Sequence, residues 1–98
     1  MKKQFMVEFE LPETMDETLI ALVPKQREVV NRMLAKGKIK TYSLAMDRSI
    51  LWAIFVADSE FDVLEMISEF PIADFVTPYI TELMFTNTES QVLQFSLN

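Results

Sequence analysis

The sequence predicts one α+β domain with a ferredoxin-like βαββαβ fold. Three observations predict it: apolar residues alternate in the strand segments, they recur at helical spacing in two others, and the segments follow in β-α-β-β-α-β order. With right-handed crossovers, this order gives a four-stranded antiparallel sheet with both helices on one face. A chain of 98 residues has the length of one domain. Residues 1–86 are predicted to form it, and residues 87–98 a C-terminal tail with a strand-like QVLQFSL segment.

The first predicted strand and helix occupy residues 4–37. QFMVEFEL alternates, with Phe5, Val7 and Phe9 on the buried face, and Pro12 ends the strand. Helical spacing begins at Asp16, where Pro24 predicts a kink or a fresh first turn and Gly37 a left-handed C-cap. The KQRE segment at residues 25–28 is expected to be a solvated helix face. The apolar side of the helix is predicted to consist of Ile20, Val23, Val30 and Leu34.

The second half of the fold is predicted to contain a hairpin, a short helix and a last strand. KIKTYSLAM and ILWAIFVA are strands around a polar turn at residues 47–49. Ser59 and Asp62 have the spacing of a capping pair. The following helix has an apolar stripe and is closed by Pro71, and Pro78 indicates an edge position or a bulge in the last strand. The stripe consists of Val63, Leu64, Ile67 and Phe70.

The third strand is apolar on both faces, from Ile50 to Val56. Uninterrupted apolar strands are normally covered on both sides, whereas the helices cover only one face of this sheet. A second copy of the chain is the simplest cover, so the sequence predicts a homodimer in which two sheets form a dimeric α+β barrel.

Composition excludes several classes of function. A formal net charge of −6 disfavours a nucleic-acid partner or an anionic membrane surface, and no apolar run reaches membrane-helix length. The absence of His and Cys removes the usual nucleophile pairs and zinc ligands, and a single Gly removes the phosphate-binding loop. We expect a cytoplasmic protein with no metal and no cofactor.

The residue pattern by itself gives four candidate site residues, one carboxylate and three aromatic side chains. Glu82, within YITELMF, is a candidate proton-transfer base if it is buried, or an exposed edge residue paired with a lysine. Tyr42, Trp52 and Tyr79 are candidate ligand-binding residues, although aromatic residues on inner strands more often belong to the core.

Several segments together resemble the muconolactone isomerase family. LPETMD after the first strand, a charged helix ending at Gly37, WAIFVADS and FPIADFVTPYITEL carry this resemblance over most of residues 5–85. It implies a ferredoxin-like α+β barrel, a homodimer that can assemble into larger rings, and an isomerase that moves a proton without metal or cofactor. The family's tryptophan-, arginine- and histidine-rich segment matches residues 39–44, which read IKTYSL, with Lys40 alone keeping a positive charge.

Three functions therefore remain open. The first is a family member that binds a small apolar or aromatic compound without catalysis. The second is a cofactor-independent isomerase or monooxygenase that uses Glu82, Lys40 or Tyr42, with Lys40 stabilising the enolate charge. By strand alternation Lys40 is expected on the same face as Tyr42. The third is a structural oligomer without a pocket.

Overall fold

The strands and helices follow one another in the predicted β-α-β-β-α-β order in the computed structural model, which describes residues 1–88. The strands are β1 (Lys3–Glu10), β2 (Ile39–Leu44), β3 (Ile50–Ala57) and β4 (Thr77–Leu83). The helices are α1 (Glu17–Ala35) and α2 (Glu60–Ser68), and a 3-10 turn spans Ala73–Phe75. Of the tail predicted at residues 87–98, residues 89–98 lie outside the described residues. The ferredoxin-like α+β prediction is confirmed.

The four strands form one antiparallel sheet in the order β2-β3-β1-β4. β2 and β4 are therefore the edges. Pro78 of β4 pairs with Phe9 of β1. An edge strand tolerates a proline because its free side needs no N–H donor. The predicted edge position of the last strand is confirmed.

Both helices pack on the sheet face that carries the alternate residues of β1 starting at Phe5. Phe9, Phe55 and Phe70 form the centre of this core, with ring centroids 5.7–6.4 Å apart. Phe9 and Phe55 are fully buried and Phe70 nearly so. All three ring pairs are tilted, and their centroid distances lie within the range of favourable aromatic pairs.

The two ends of α1 are capped by local hydrogen bonds. Asp16 accepts from the backbone N–H of Leu19 at 2.9 Å, which satisfies one free donor of the first turn. Gly37 has a φ of +74° and donates to the Leu34 carbonyl, while Lys38 donates to the Met33 carbonyl. This pair of bonds is a Schellman motif, so the predicted left-handed cap is confirmed. α1 continues through Pro24 as one helix, without the fresh start that the proline predicted.

The buried side of α1 differs from the predicted one by about one residue. Ile20 and Leu34 are 54% and 37% exposed, so their predicted core positions are wrong. The side chains of α1 that are buried belong instead to Leu19, Gln26, Val30 and Met33. A polar residue, Gln26, occupies the middle of the true stripe, which hides that stripe from a search for apolar spacing alone.

The second helix follows its prediction more closely. Ser59 accepts from the backbone N–H of Asp62 at 3.2 Å, as the capping pair predicted. Val63 and Ile67 are buried, whereas Leu64 is 46% exposed and was wrongly placed in the stripe. No helix in residues 1–88 is long and apolar enough to span a membrane.

The opposite face of the sheet, called the outer face here, carries neither of the two helices of residues 1–88. It contains the paired residues whose side chains alternate with those of the core. They are Gln4, Met6, Glu8 and Glu10 of β1, Thr41 and Ser43 of β2, Ile50, Trp52, Ile54 and Val56 of β3, and Thr77, Tyr79, Thr81 and Leu83 of β4. Ile54 is buried, and the other β3 residues on the outer face are half-buried, so β3 is apolar on both faces as predicted.

Candidate functional site

A cleft of about 300 Å³ opens between α1 and the end of the sheet, and it is called the α1 cleft here. Leu19 and Ile72 are buried in its wall, whereas Leu44 is 53% exposed, so the cleft has a buried end and an open mouth. Most of the wall is aliphatic. The lining residues are Leu11, Met15, Leu19, Val23, Gln26, Arg27, Tyr42, Leu44, Leu51 and Ile72.

Two polar side chains meet at the buried end of the cleft. The Gln26 side chain donates from Nε2 to the Tyr42 hydroxyl at 3.2 Å. Its Oε1 accepts from the backbone N–H of Ile72 at 3.4 Å. Gln26 is only 4% exposed, and a buried amide needs such partners because an unpaired polar group in an apolar interior is costly. The pair therefore joins α1, β2 and the segment after α2.

Tyr42 reaches this position because of a bulge in β2. Tyr42 pairs with Ala53 of β3, which places its ring on the helix side of the sheet. The register shifts between Ile39 and Thr41. Burial raises the pKa of the Tyr42 phenol, and the hydrogen bond from Gln26 only partly opposes this. The phenol thus remains a neutral hydrogen-bonding group over a wide pH range.

The mouth of the cleft is more polar. Arg27 lies on the exposed side of α1 and lines both the cleft and an adjoining open hollow of about 830 Å³. The hollow is also lined by Glu13, Asp47 and Arg48. Charged groups thus surround the entrance while the interior is apolar.

The two predicted catalytic residues are not brought together. Lys40 lies in the bulge of the edge strand β2, so the strict alternation that placed it on the face of Tyr42 is broken. Glu82 lies on β4 at the opposite edge, roughly 14 Å away across three strand spacings. Glu82 is exposed, and its Oε1 lies 3.8 Å from Nζ of Lys3, as expected for an edge residue paired with a lysine. Neither residue lines the α1 cleft.

The other two predicted aromatic residues lie on the outer face. Trp52 is half-buried and Tyr79 is 52% exposed. Glu8 lies between them in the sheet, paired with both. The negative charge of Glu10 raises the pKa of Tyr79. Of the three predicted ligand-binding residues, only Tyr42 lines the α1 cleft.

Gln26 is the residue of the candidate site that the sequence pattern does not predict. The KQRE segment was expected to be solvated, and this is wrong for Gln26, although Lys25, Arg27 and Glu28 are exposed. Its spacing of seven residues from Leu19 and four from Val30 places it on the same helix side as both, and that spacing is a signal for its burial.

Comparison with known proteins adds no further identification. No protein-family model matches the chain, and no curated protein matches it. The resemblance to the muconolactone isomerase family therefore stays a prediction.

Proposed function

We propose that this protein binds a small apolar or aromatic compound in the α1 cleft. The observation that carries the proposal is the apolar wall of the cleft, which closes on a single polar pair. A volume of about 300 Å³ is at the lower end of the range for ligand pockets. Such pockets combine a mainly apolar lining with a few fixed polar groups that orient the ligand.

The residues of the cleft favour binding over proton transfer. Its lining in the described part of the chain includes no carboxylate. Tyr42 is a weak candidate for a base because burial raises the pKa of its phenol. The alternatives of a cofactor-independent isomerase or monooxygenase therefore have less support than binding alone.

Membership of the muconolactone isomerase-like family is part of the same proposal. The βαββαβ topology supports it, since this is the fold that the resemblance implies. A shared fold hosts many functions, so the support concerns architecture and not activity.

We also propose that the chain forms a homodimer through the outer face. The apolar side chains of β3 on that face support this, because a sheet face open to water is normally more polar. An interface that covers one face of a four-stranded sheet is expected to bury roughly 2,000 Å² or more in total.

Ligand binding is tested by labelling the methionine methyl groups with ¹³C and titrating the protein with 1-indanone. Met15 lines the α1 cleft, whereas Met6 lies on the outer face, so the two methyl signals distinguish the sites. We expect a saturable shift of the Met15 signal. Val23→Phe should abolish this shift because a larger side chain fills the cleft.

Leu64→Phe is the matched control, since it also adds a ring to a helix but at an exposed position outside the cleft. This variant should bind as the wild type does. A shift confined to Met6, or binding that Val23→Phe leaves intact, would contradict the proposed site.

A further inference from the structure

We propose that the ligand of the α1 cleft carries a neutral hydrogen-bond acceptor, such as a ketone oxygen, and that the Tyr42 hydroxyl donates to it. The inference rests on the proposed function and names the chemical class of the ligand. It follows from the direction of the hydrogen bonds at the buried end of the cleft.

The backbone of Ile72 fixes the orientation of the Gln26 amide. The Ile72 N–H is a donor, so the atom of Gln26 that faces it at 3.4 Å must be the acceptor Oε1. A flipped amide would place two donors against each other. The Nε2 group therefore points to Tyr42 and donates to its hydroxyl oxygen.

This arrangement leaves the hydroxyl hydrogen of Tyr42 without an acceptor among residues 1–88. A hydroxyl group has one donor and two acceptor sites, and Gln26 occupies an acceptor site. Among the described residues, Gln26 is the one hydrogen-bond partner of the Tyr42 side chain. Because Tyr42 lines the cleft, a group bound there is placed to accept the remaining hydrogen.

The surroundings select a neutral acceptor at this end. Leu19 and Ile72 are buried beside the polar pair, and a charge in an apolar interior without a partner charge is costly. The cation that could balance an anion, Arg27, lies on the exposed side of α1. A ligand would thus enter with its neutral oxygen first and keep any charged group at the mouth.

The test compares indane with 1-indanone, which differ by one carbonyl group, in the wild type and in Tyr42→Phe. The ratio of the two dissociation constants in one protein depends partly on the different hydration of indane and 1-indanone. This hydration difference is the same for both proteins, so it cancels when the wild-type ratio is divided by the Tyr42→Phe ratio. We expect the preference for 1-indanone, relative to indane, to fall about fivefold in Tyr42→Phe, the usual contribution of one hydrogen bond. Tyr79→Phe removes the chain's other phenolic hydroxyl, which lies on the outer face, and should leave the ratio unchanged.

The outcomes separate this inference from the proposed function. Binding of both compounds in the cleft with the same ratio in wild type and Tyr42→Phe overturns the acceptor proposal and leaves the binding function standing. Binding of neither compound overturns both. If Tyr42→Phe does not fold, the infrared carbonyl frequency of 1-indanone bound to the wild type decides. A frequency lower than in cyclohexane supports the hydrogen bond, and an equal one overturns it.

Discussion

Trp52 and Glu8 are joined across the β1–β3 pair on the outer face, where Nε1 of Trp52 donates to Oε1 of Glu8 at 3.2 Å. The bond places a carboxylate in the middle of the surface that we propose for self-association. Glu10, two residues further along β1, adds a second carboxylate to the same face. The paired positions of the outer face include no lysine or arginine.

The double substitution Glu8→Gln and Glu10→Gln is expected to tighten the homodimer about tenfold, because stacking two outer faces brings like charges together and buries them. Glutamine keeps an oxygen that accepts from Trp52. The dissociation constant is measured by sedimentation equilibrium over a dilution series. Glu28→Gln, on the exposed side of α1, is the control and should not change it. A variant and a wild type that both remain monomeric at micromolar concentration would rule out the dimer.

Trp52→Ala is expected to lower the free energy of unfolding by about 2–3 kcal/mol, less than the cost of removing a fully buried tryptophan. The side chain is half-buried in the single chain, and its indole N–H has a partner in Glu8. Urea unfolding at low protein concentration measures the loss. In a dimer that covers Trp52, the loss should grow with protein concentration. A loss below about 1 kcal/mol would show that Trp52 contributes little to either state.

Glu10→Gln is expected to lower the pKa of Tyr79, since the charge of Glu10 is the main cause that raises it. The chain has two tyrosines, so the substitution is made in a Tyr42→Phe background in which Tyr79 alone titrates. Phenolate absorbance as a function of pH gives the midpoint. An unchanged midpoint would show that Glu10 does not act on the phenol.

Tyr42 is expected to make the folded state sensitive to alkali. Its raised pKa means that the folded protein keeps a proton that the unfolded chain loses near pH 10. The stabilisation is therefore fully present below about pH 10 and is lost as the pH rises through the folded pKa. Urea unfolding of wild type and Tyr42→Phe across this range should show a smaller loss of stability in the variant. Parallel losses would contradict the assignment.

Gly37→Ala and Arg48→Gly are expected to change stability in opposite directions. Both residues have a positive φ, +74° for Gly37 and 64° for Arg48. In the described part of the chain, apart from Gly37 and its two chain neighbours, no heavy atom lies within 4 Å of the position that a Cβ at Gly37 would take. The cost of Gly37→Ala is therefore conformational and is expected to be about 1 kcal/mol. Arg48→Gly should raise the free energy of unfolding by about 0.5–1 kcal/mol, since glycine removes the strain but adds entropy to the unfolded chain. Thermal unfolding measures both, and changes of the same sign would contradict this account.

Local patterns in the sequence were sufficient for most of the fold. The alternation of Phe5, Val7 and Phe9, the capping pair at Ser59 and Asp62, and Gly37 after the long helix each identify an element or its end. These signals depend on neighbours within a few residues, so they are visible without the tertiary structure.

The site depended on contacts between distant residues. The sequence predicts that Gln26 is solvated, because its hydrogen-bond partners, Tyr42 and the backbone of Ile72, are 16 and 46 residues away in the sequence. The bulge near Lys40 is likewise decided by pairing with β3, and it breaks the strict alternation on which the predicted face of Lys40 depended. By itself the sequence determined the order of the elements and the two-sided apolar strand. Only the tertiary structure decided which polar groups meet in a cleft, because a buried hydrogen bond has no periodicity and forms wherever packing brings a donor to an acceptor.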